Sequence, residues 1–535
     1  MGDLKGITEK LDYLQSLGIE LIWICPVYCS PFIDQGYDVS DYYHIDPVFG
    51  CNEDMYELIH ESKKRGIYIV MDLVVNHCSD QHIWFQNAMK DPYGKYGKYF
   101  YIREEVNGNA PCNWRSYFGE NAWSKLPGHD NLYYLHLFAK QQPDINWENP
   151  EVREELYKMI QWWFDKGISG FRIDAAAFIK KTMPFEILPA DREDGFCTYE
   201  IPPTCNDGLH EYLQEMKKRT FEANDAFTVG EVVSFEEEDL EKYISDDGCM
   251  SSIFDFSLYM IGKQGEDFDG FYSHKQPTAN EFRDALLRSS RLSFNVGFLS
   301  NFIENHDLPR AASHFIPEKD ISEISKKMLA GLNLMQYGLP FLYQGQEIGM
   351  ENLSFSSADE IVDIGSHMEY TLALEKGLCE EEALKKIQEY SRDNTRSPMQ
   401  WDKTENAGFT KAAPWMRINP NYMKINVAEQ EAREDSLLNF YKKLILLRKN
   451  PEYKETLVYG KETSFLEKED NFVGFFRKDK NKKILVMANF QRKGKFFQLP
   501  EGEKKVLINN YSEPVNLETN VIQMRGYQLL ILDIK

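Results

Sequence analysis

Seven short apolar runs alternate along this chain with segments that have helical periodicity. The runs are Glu20–Pro26, Ile67–Val75, Gly170–Asp174, Phe227–Gly230, Ile253–Phe256, Gly297–Ile303 and Pro340–Tyr343. Leu4, Ile7, Leu11, Leu14 and Leu17 recur at three and four residues, and Gly18 follows where a helix would stop. Glu53–Arg65, Pro150–Lys166, Leu209–Glu222, Ala279–Ser290 and Ile321–Met335 are likewise of helix length. Runs without polar alternation read as strands buried on both faces. With helices between them, they predict a parallel sheet with crossover connections. The fold class this implies is α/β, a (β/α)8 barrel. The chain opens on a helix, so the first of the eight strands is expected to be missing.

Two stretches leave the alternation. Residues 78–147 are rich in Tyr, Trp, Gly, Asn and Asp, too long for a loop and better read as an inserted subdomain. Residues 350–417 turn polar, a second excursion, before a helix at Asp435–Arg448. After Asn450 short alternating strands appear at Asn471–Phe476, Lys483–Ala488 and Tyr527–Leu532. The expected organisation is a barrel over 1–77 and 148–450, an insert at 78–147, and an antiparallel β-sandwich at 451–535.

A formal net charge of −24 argues against nucleic acid and against an anionic membrane face as partners. Nine cysteines without a close CxxC pair suit reduced thiols in the cytoplasm. Neither a signal peptide nor a membrane-length apolar run is visible. A cytoplasmic monomer is expected. Aromatic residues make up 14% of the chain, a level that suits stacking on sugar faces as well as a large core.

Three of the runs lead into acids. Asp174 closes Gly170-Phe171-Arg172-Ile173, Glu231 follows Phe227-Thr228-Val229-Gly230, and Asp307 follows Phe302-Ile303-Glu304-Asn305-His306. Catalytic groups of a β/α barrel sit at the C-terminal ends of its strands, so these carboxylates are expected to converge on one pocket. Paired carboxylates flanking a bond are the apparatus of glycoside hydrolysis. Arg172 is two residues before Asp174 and shares its face, and a cation there is expected to keep Asp174 ionised. Glu231, as the acid, is expected to be protonated at working pH, its pKa raised by packing and neighbouring carboxylates. A helix N-cap is the alternative role for any one such acid.

Asp72-Leu73-Val74-Val75-Asn76-His77, Gly170–Asp174, Gly230-Glu231 and Glu304-Asn305-His306-Asp307 resemble, in order, the four signature regions of the α-amylase superfamily. Gln142-Pro143-Asp144-Ile145-Asn146 and the segment from Ser391 to Trp401 resemble signatures of its oligo-1,6-glucosidase subfamily. The resemblance implies a retaining exo-acting α-glucosidase on short oligosaccharides. Asp174 would be the nucleophile, Glu231 the general acid/base, and Asp307 the brace for the sugar hydroxyls. His77 and His306 would hydrogen-bond the same sugar, with Arg172 supporting the nucleophile. Asp34 and Arg392 would hold the non-reducing end, Tyr37 would stack on the sugar, and Phe138 would line the pocket. Asp72 would be a structural carboxylate beneath the site.

The residue after the nucleophile tends to be valine in α-1,6-preferring relatives and alanine in α-1,4-preferring ones. Ala175 therefore points to α-1,4 or mixed use, whereas Gln142–Asn146 points to the α-1,6 group. Relatives also carry an Asp/Asn-rich calcium loop ahead of the first helix, of which only Asp3 would remain. No metal and no other cofactor are expected. Trehalose-6-phosphate hydrolases share much of the pattern but need a basic phosphate pocket, and no basic cluster stands out in the insert. A truncated sugar-binding member and a structural member like the transporter heavy chains are further readings, the latter disfavoured by the intact acids and absent anchor.

Overall fold

The computed structural model describes residues 2–119, 121–198, 208–262 and 273–535. Cys205 lies outside them. The chain divides into two compact units, one of residues 2–15 and 19–254, the other of residues 16–18 and 255–535.

The first unit is built on a five-stranded parallel sheet. Its order is Leu21–Ile24, Tyr68–Leu73, Gly170–Ile173, Phe227–Gly230 and Ser252–Ile253. All four residues of the central strand Gly170–Ile173 are buried, as its unalternating apolar sequence requires. Gly170 is needed here, since a Cβ would lie 1.8 Å from the carbonyl oxygen of Phe227 on the adjacent strand. Between strands run Asn52–Lys64 and Pro150–Asp165, the latter with proline in its first turn and Asn149 accepting the Glu151 N–H as N-cap. Leu4–Leu17 is two helices, Leu4–Glu9 and Leu11–Leu17, rather than one. Asp3, the candidate calcium ligand, is the N-cap of the first, accepting the Gly6 N–H at 2.6 Å.

Within this unit a three-stranded antiparallel sheet, Ile102–Glu104, Leu132–Leu135 and Trp123–Lys125, covers a core of Tyr101, Trp114, Trp123, Leu135 and Leu137. Cys197–Thr198 pairs with Trp114–Arg115, and Phe185 and Leu188 pack against that core. Buried Arg115 fastens this segment by pairing with Asp191 and Asp194.

In the second unit Ser300–Asn301 pairs in parallel with Leu339–Pro340. The polar stretch after Met350 includes the helices Ile364–Glu375 and Glu380–Tyr390, the second capped by Cys379 with Glu382, and a short helix at Asp393–Arg396. The C-terminal residues form a five-stranded antiparallel sheet in the order Lys461–Ser464, Phe472–Lys478, Lys483–Asn489, Leu529–Ile534, Lys504–Asn509. A two-stranded sheet, Lys495–Gln498 with Val521–Met524, shares its core through Phe497, Leu499, Ile522 and Met524. Helix Glu323–Met335 approaches strand Leu529–Ile534 so closely that a Cβ on Gly331 would lie 2.0 Å from Leu529 Cδ2. None of the described helices is long and apolar enough to cross a membrane.

Candidate active site

Strand register assembles the acidic cluster of the first unit. Asp72 on Tyr68–Leu73 is in register with Arg172 on Gly170–Ile173. Side chains in register on adjacent strands share a face, as do residues two apart along a strand. Arg172 therefore meets carboxylates from three strands. Its Nη1 donates to Asp72 Oδ1 at 2.9 Å and to Asp174 Oδ1 at 2.6 Å, and its Nη2 donates to Glu231 Oε2 at 2.8 Å. The guanidinium carbon lies 5.0 Å from the centre of the Trp23 ring and 5.7 Å from that of Tyr37, a geometry in which an aromatic face attracts a cation.

Asp72 is almost fully buried and accepts side-chain hydrogen bonds. Besides Arg172, Trp23 Nε1 donates at 3.1 Å and Tyr37 Oη at 3.0 Å, both to Oδ2. It acts as a strut beneath Arg172. Trp23, read from sequence only as part of an apolar strand, is one of the groups that hold it.

Opposing influences act on the Asp174 carboxyl. Burial pushes its carboxyl well above the usual carboxylate range. Arg172 opposes that shift, but Glu231 and Asp72 add to it. Three carboxylates around one buried cation leave an excess of negative charge, which a proton relieves. Glu231 Oε2 also accepts the backbone N–H of Ala175 at 3.0 Å. That bond falls at a kink, because Ala175 has φ +44° and ψ +40°, a left-handed conformation that costs an L-residue about 1–2 kcal/mol.

His77 follows the strand and is buried. Asn76 Nδ2 lies 3.1 Å from its Nδ1 and the Tyr37 carbonyl 3.0 Å from its Nε2, a pairing that fits the Nε2–H tautomer. Burial lowers its pKa and keeps the ring neutral. Gln142, from the Gln142–Asn146 motif, donates to Asp34 Oδ2 at 3.1 Å and also lies 3.1 Å from His77 Nε2. The motif thus bears directly on two predicted substrate contacts. Asp34 stands in a turn organised by Asp38, whose carboxylate accepts the N–H groups of Ile33 and Asp34 and the Ser30 hydroxyl. Asp38 is fully buried and organises this loop. Phe138 lies 5.0 Å from His77 and stacks on Tyr117 at 5.3 Å. Lys181, which no motif included, is buried against Asp144 at 2.9 Å and Asn76 Oδ1 at 2.6 Å.

The second unit holds His306, Asp307 and Arg392 together. Asp307 lies on a loop beyond strand Ser300–Asn301 rather than at its end. Glu304 fixes that loop, pairing with buried Arg310 at 3.0 Å and accepting the Ala311 N–H at 2.6 Å. Asp307 Oδ2 is 3.0 Å from His306 Nε2, and Oδ1 accepts Arg396 Nη2 at 2.9 Å and Arg392 Nη1 at 3.3 Å. Burial alone would raise its pKa, but His306, Arg392 and Arg396 hold the carboxyl well below the usual range. Arg396 lay within a recognised segment, yet nothing in its spacing marked it as a partner of Asp307. Asp34 belongs to the first unit and Arg392 to the second.

Residues 1–460 match the family described as alpha amylase, catalytic domain, and residues 473–531 match the alpha-amylase SusG C-terminal domain. An oligo-1,6-glucosidase of Bacillus cereus is 38% identical over 541 residues, covering 100% of this chain and 95% of the relative. A glucan 1,6-alpha-glucosidase of Streptococcus pneumoniae serotype 4 is also 38% identical, over 98% of this chain and 93% of its own. The crystal structure of an isomaltulose synthase from Klebsiella sp. LX3 superposes with a TM-score of 0.94 at 36% identity, covering 100% of this chain and 95% of that one. Such full-length matches give no support to the expectation that the first strand is missing. They establish the β/α-barrel fold with a C-terminal antiparallel sheet domain. The chain belongs to the alpha-amylase family of glycoside hydrolases.

Proposed function

We propose that this protein is a retaining, exo-acting α-glucosidase that hydrolyses terminal α-1,4 and α-1,6 glucosidic bonds of short gluco-oligosaccharides of the maltose and isomaltose type. The observation that carries the reading is the buried Arg172, hydrogen-bonded to both Asp174 and Glu231. One cation thereby holds two carboxylates side by side, as a double displacement needs. The relatives named as 1,6-glucosidases support the α-1,6 part.

In the first step an Asp174 carboxylate oxygen bonds to the anomeric carbon while Glu231 gives its proton to the leaving oxygen. In the second, Glu231 takes a proton from water, and that water displaces Asp174 from the same carbon. Asp174 must be ionised to attack, and Arg172 is the group working towards that against burial. Asp307, His306 and His77 hydrogen-bond the sugar, Asp34 and Arg392 hold its non-reducing end, Tyr37 stacks on it, and Phe138 lines the wall beside it. The proposed organisation is a barrel at 1–77 and 148–450, an insert at 78–147 and a β-sandwich at 451–535. The absence of a cofactor and a cytoplasmic, monomeric state are also part of the proposal.

Purified protein is tested on maltose, isomaltose and trehalose 6-phosphate. Release of glucose from both disaccharides supports the proposal. Turnover of trehalose 6-phosphate alone would replace it with the phosphate-recognising reading. Isomaltose hydrolysis with none on maltose would remove the Ala175 argument. One side chain in a pocket wall shifts such a ratio by about 1–3 kcal/mol.

A further inference from the structure

Asp363 belongs to no recognised motif and is 2% exposed. Its two oxygens face different partners. Oδ2 caps helix Ile364–Glu375, accepting the Ser366 N–H at 2.7 Å and the Ser366 hydroxyl at 2.8 Å. Oδ1 is taken by arginines: Arg392 Nε at 2.8 Å, Arg392 Nη2 at 2.5 Å and, more loosely, Arg396 Nη1 at 3.6 Å. The same two arginines reach Asp307 with their remaining nitrogens, and here the order reverses. Arg396 is the closer at 2.9 Å, and Arg392 stands off at 3.3 Å. Two carboxylates thus share two guanidiniums, and each carboxylate has its own near partner.

Arg392 donates to Asp363 Oδ1 through Nε and sets Nη2 against the same oxygen at ion-pair distance, so this edge of the guanidinium is held on Asp363 by charge. Without Asp363, the nearest carboxylate to Arg392 is Asp307, and a fork onto it is the strongest pairing then within reach. Both arginines would be spent on Asp307, and neither would be oriented towards a sugar. Asp363 stays ionised because Arg392 and Arg396 outweigh its burial. Its charge is therefore present across the range in which a glycosidase works.

We propose that Asp363 is a positioning residue that restrains Arg392 from collapsing onto Asp307, leaving Arg396 as the clamp on that carboxylate and Arg392 aimed at substrate. This rests on Asp307 and Arg392 being sugar-binding groups, as proposed above.

The test is a double-mutant cycle of Asp363→Asn and Arg392→Ala, reading kcat and KM separately on p-nitrophenyl α-glucoside. Asparagine keeps the helix cap but turns an N–H towards the arginines. Alone, Asp363→Asn is expected to raise KM about tenfold with a smaller fall in kcat. In the Arg392→Ala background it is expected to change KM less than about twofold, because contacting residues act non-additively. Additive effects, or a fall in kcat at unchanged KM as from a damaged fold, would overturn the proposal. If Asp363→Asn does not fold, Asp363→Ser caps the helix equally well and replaces it. Wild-type protein inactive on every α-glucoside would remove the site reading first and this inference with it, whereas an active wild type with an additive cycle removes this inference alone.

Discussion

Replacing Arg172 with methionine keeps a long side chain against Trp23 and Tyr37 but removes the cation shared by three carboxylates. The Arg172 side chain is 2% exposed, and its bonds to Asp174, Glu231 and Asp72 measure 2.6, 2.8 and 2.9 Å. Breaking a buried ion pair from one side costs about 3–5 kcal/mol, because the partner is left uncompensated. With three acceptors stranded, the loss should lie near the top of that range. It should also depend on pH, with a sign set by Asp174. A carboxyl whose folded pKa lies above its unfolded value binds more protons in the folded state. Its stabilising contribution is complete below the unfolded pKa and is lost as pH rises through the folded one. Without Arg172 the main influence opposing that shift disappears. The deficit of Arg172→Met should therefore be larger at about pH 8 than at about pH 5. Urea unfolding followed by tryptophan fluorescence reads both quantities. At a slope of about 3 kcal/mol/M or more, a 3–5 kcal/mol loss moves the midpoint by roughly 1 M. A shift under about 0.3 M, or one equal at both pH values, would refute the account of Arg172 as the shared counter-ion.

Two further outcomes follow from buried or strained groups. Glu462 is buried, and burial pushes its carboxyl up to about 7 against the opposing pull of Arg477, so it contributes stability below its unfolded pKa that is lost as pH rises through about 7. Its Oε2 accepts the Tyr337 N–H at 2.9 Å, a bond a glutamine oxygen can keep. Glu462→Gln should flatten the wild-type fall in stability between about pH 5 and pH 8, worth on the order of 3 kcal/mol, and denaturation midpoints at the two pH values check it. Ala175→Val places a β-branched side chain at φ +44° in a buried site. It should cost about 1–3 kcal/mol and shift the isomaltose-to-maltose rate ratio upward. An unchanged ratio would count against Ala175 as a determinant of linkage.

The strands and the acids that follow them were legible because burial on both faces leaves an uninterrupted apolar run, and because Arg172 and Asp174 stand two apart. Convergence on one pocket was expected, but the individual contacts across strands were not legible. That Arg172 also reaches Asp72 and Glu231 follows from register, which no local spacing encodes. Only the Arg172 influence on Asp174 was legible, because proximity to a cation is visible in sequence, whereas burial and the Asp72 and Glu231 charges that oppose it are not. Helix Ile364–Glu375 was hidden because Ile364, Met368, Tyr370, Leu372 and Leu374 mark no single face. Asp363 meets Arg392, Arg310 meets the Gln344 carbonyl and Lys181 meets Asn76 at separations of 29 or more residues in the chain.

The central claim is that Asp174 and Glu231 carry out a double displacement. Proton NMR of the glucose first released from p-nitrophenyl α-glucoside, recorded before mutarotation, tests it directly when wild type is run beside Asp174→Asn. The account predicts α-glucose as the first product of the wild type and no release by Asp174→Asn. First release of β-glucose, or hydrolysis that survives the loss of the Asp174 carboxylate, would contradict it.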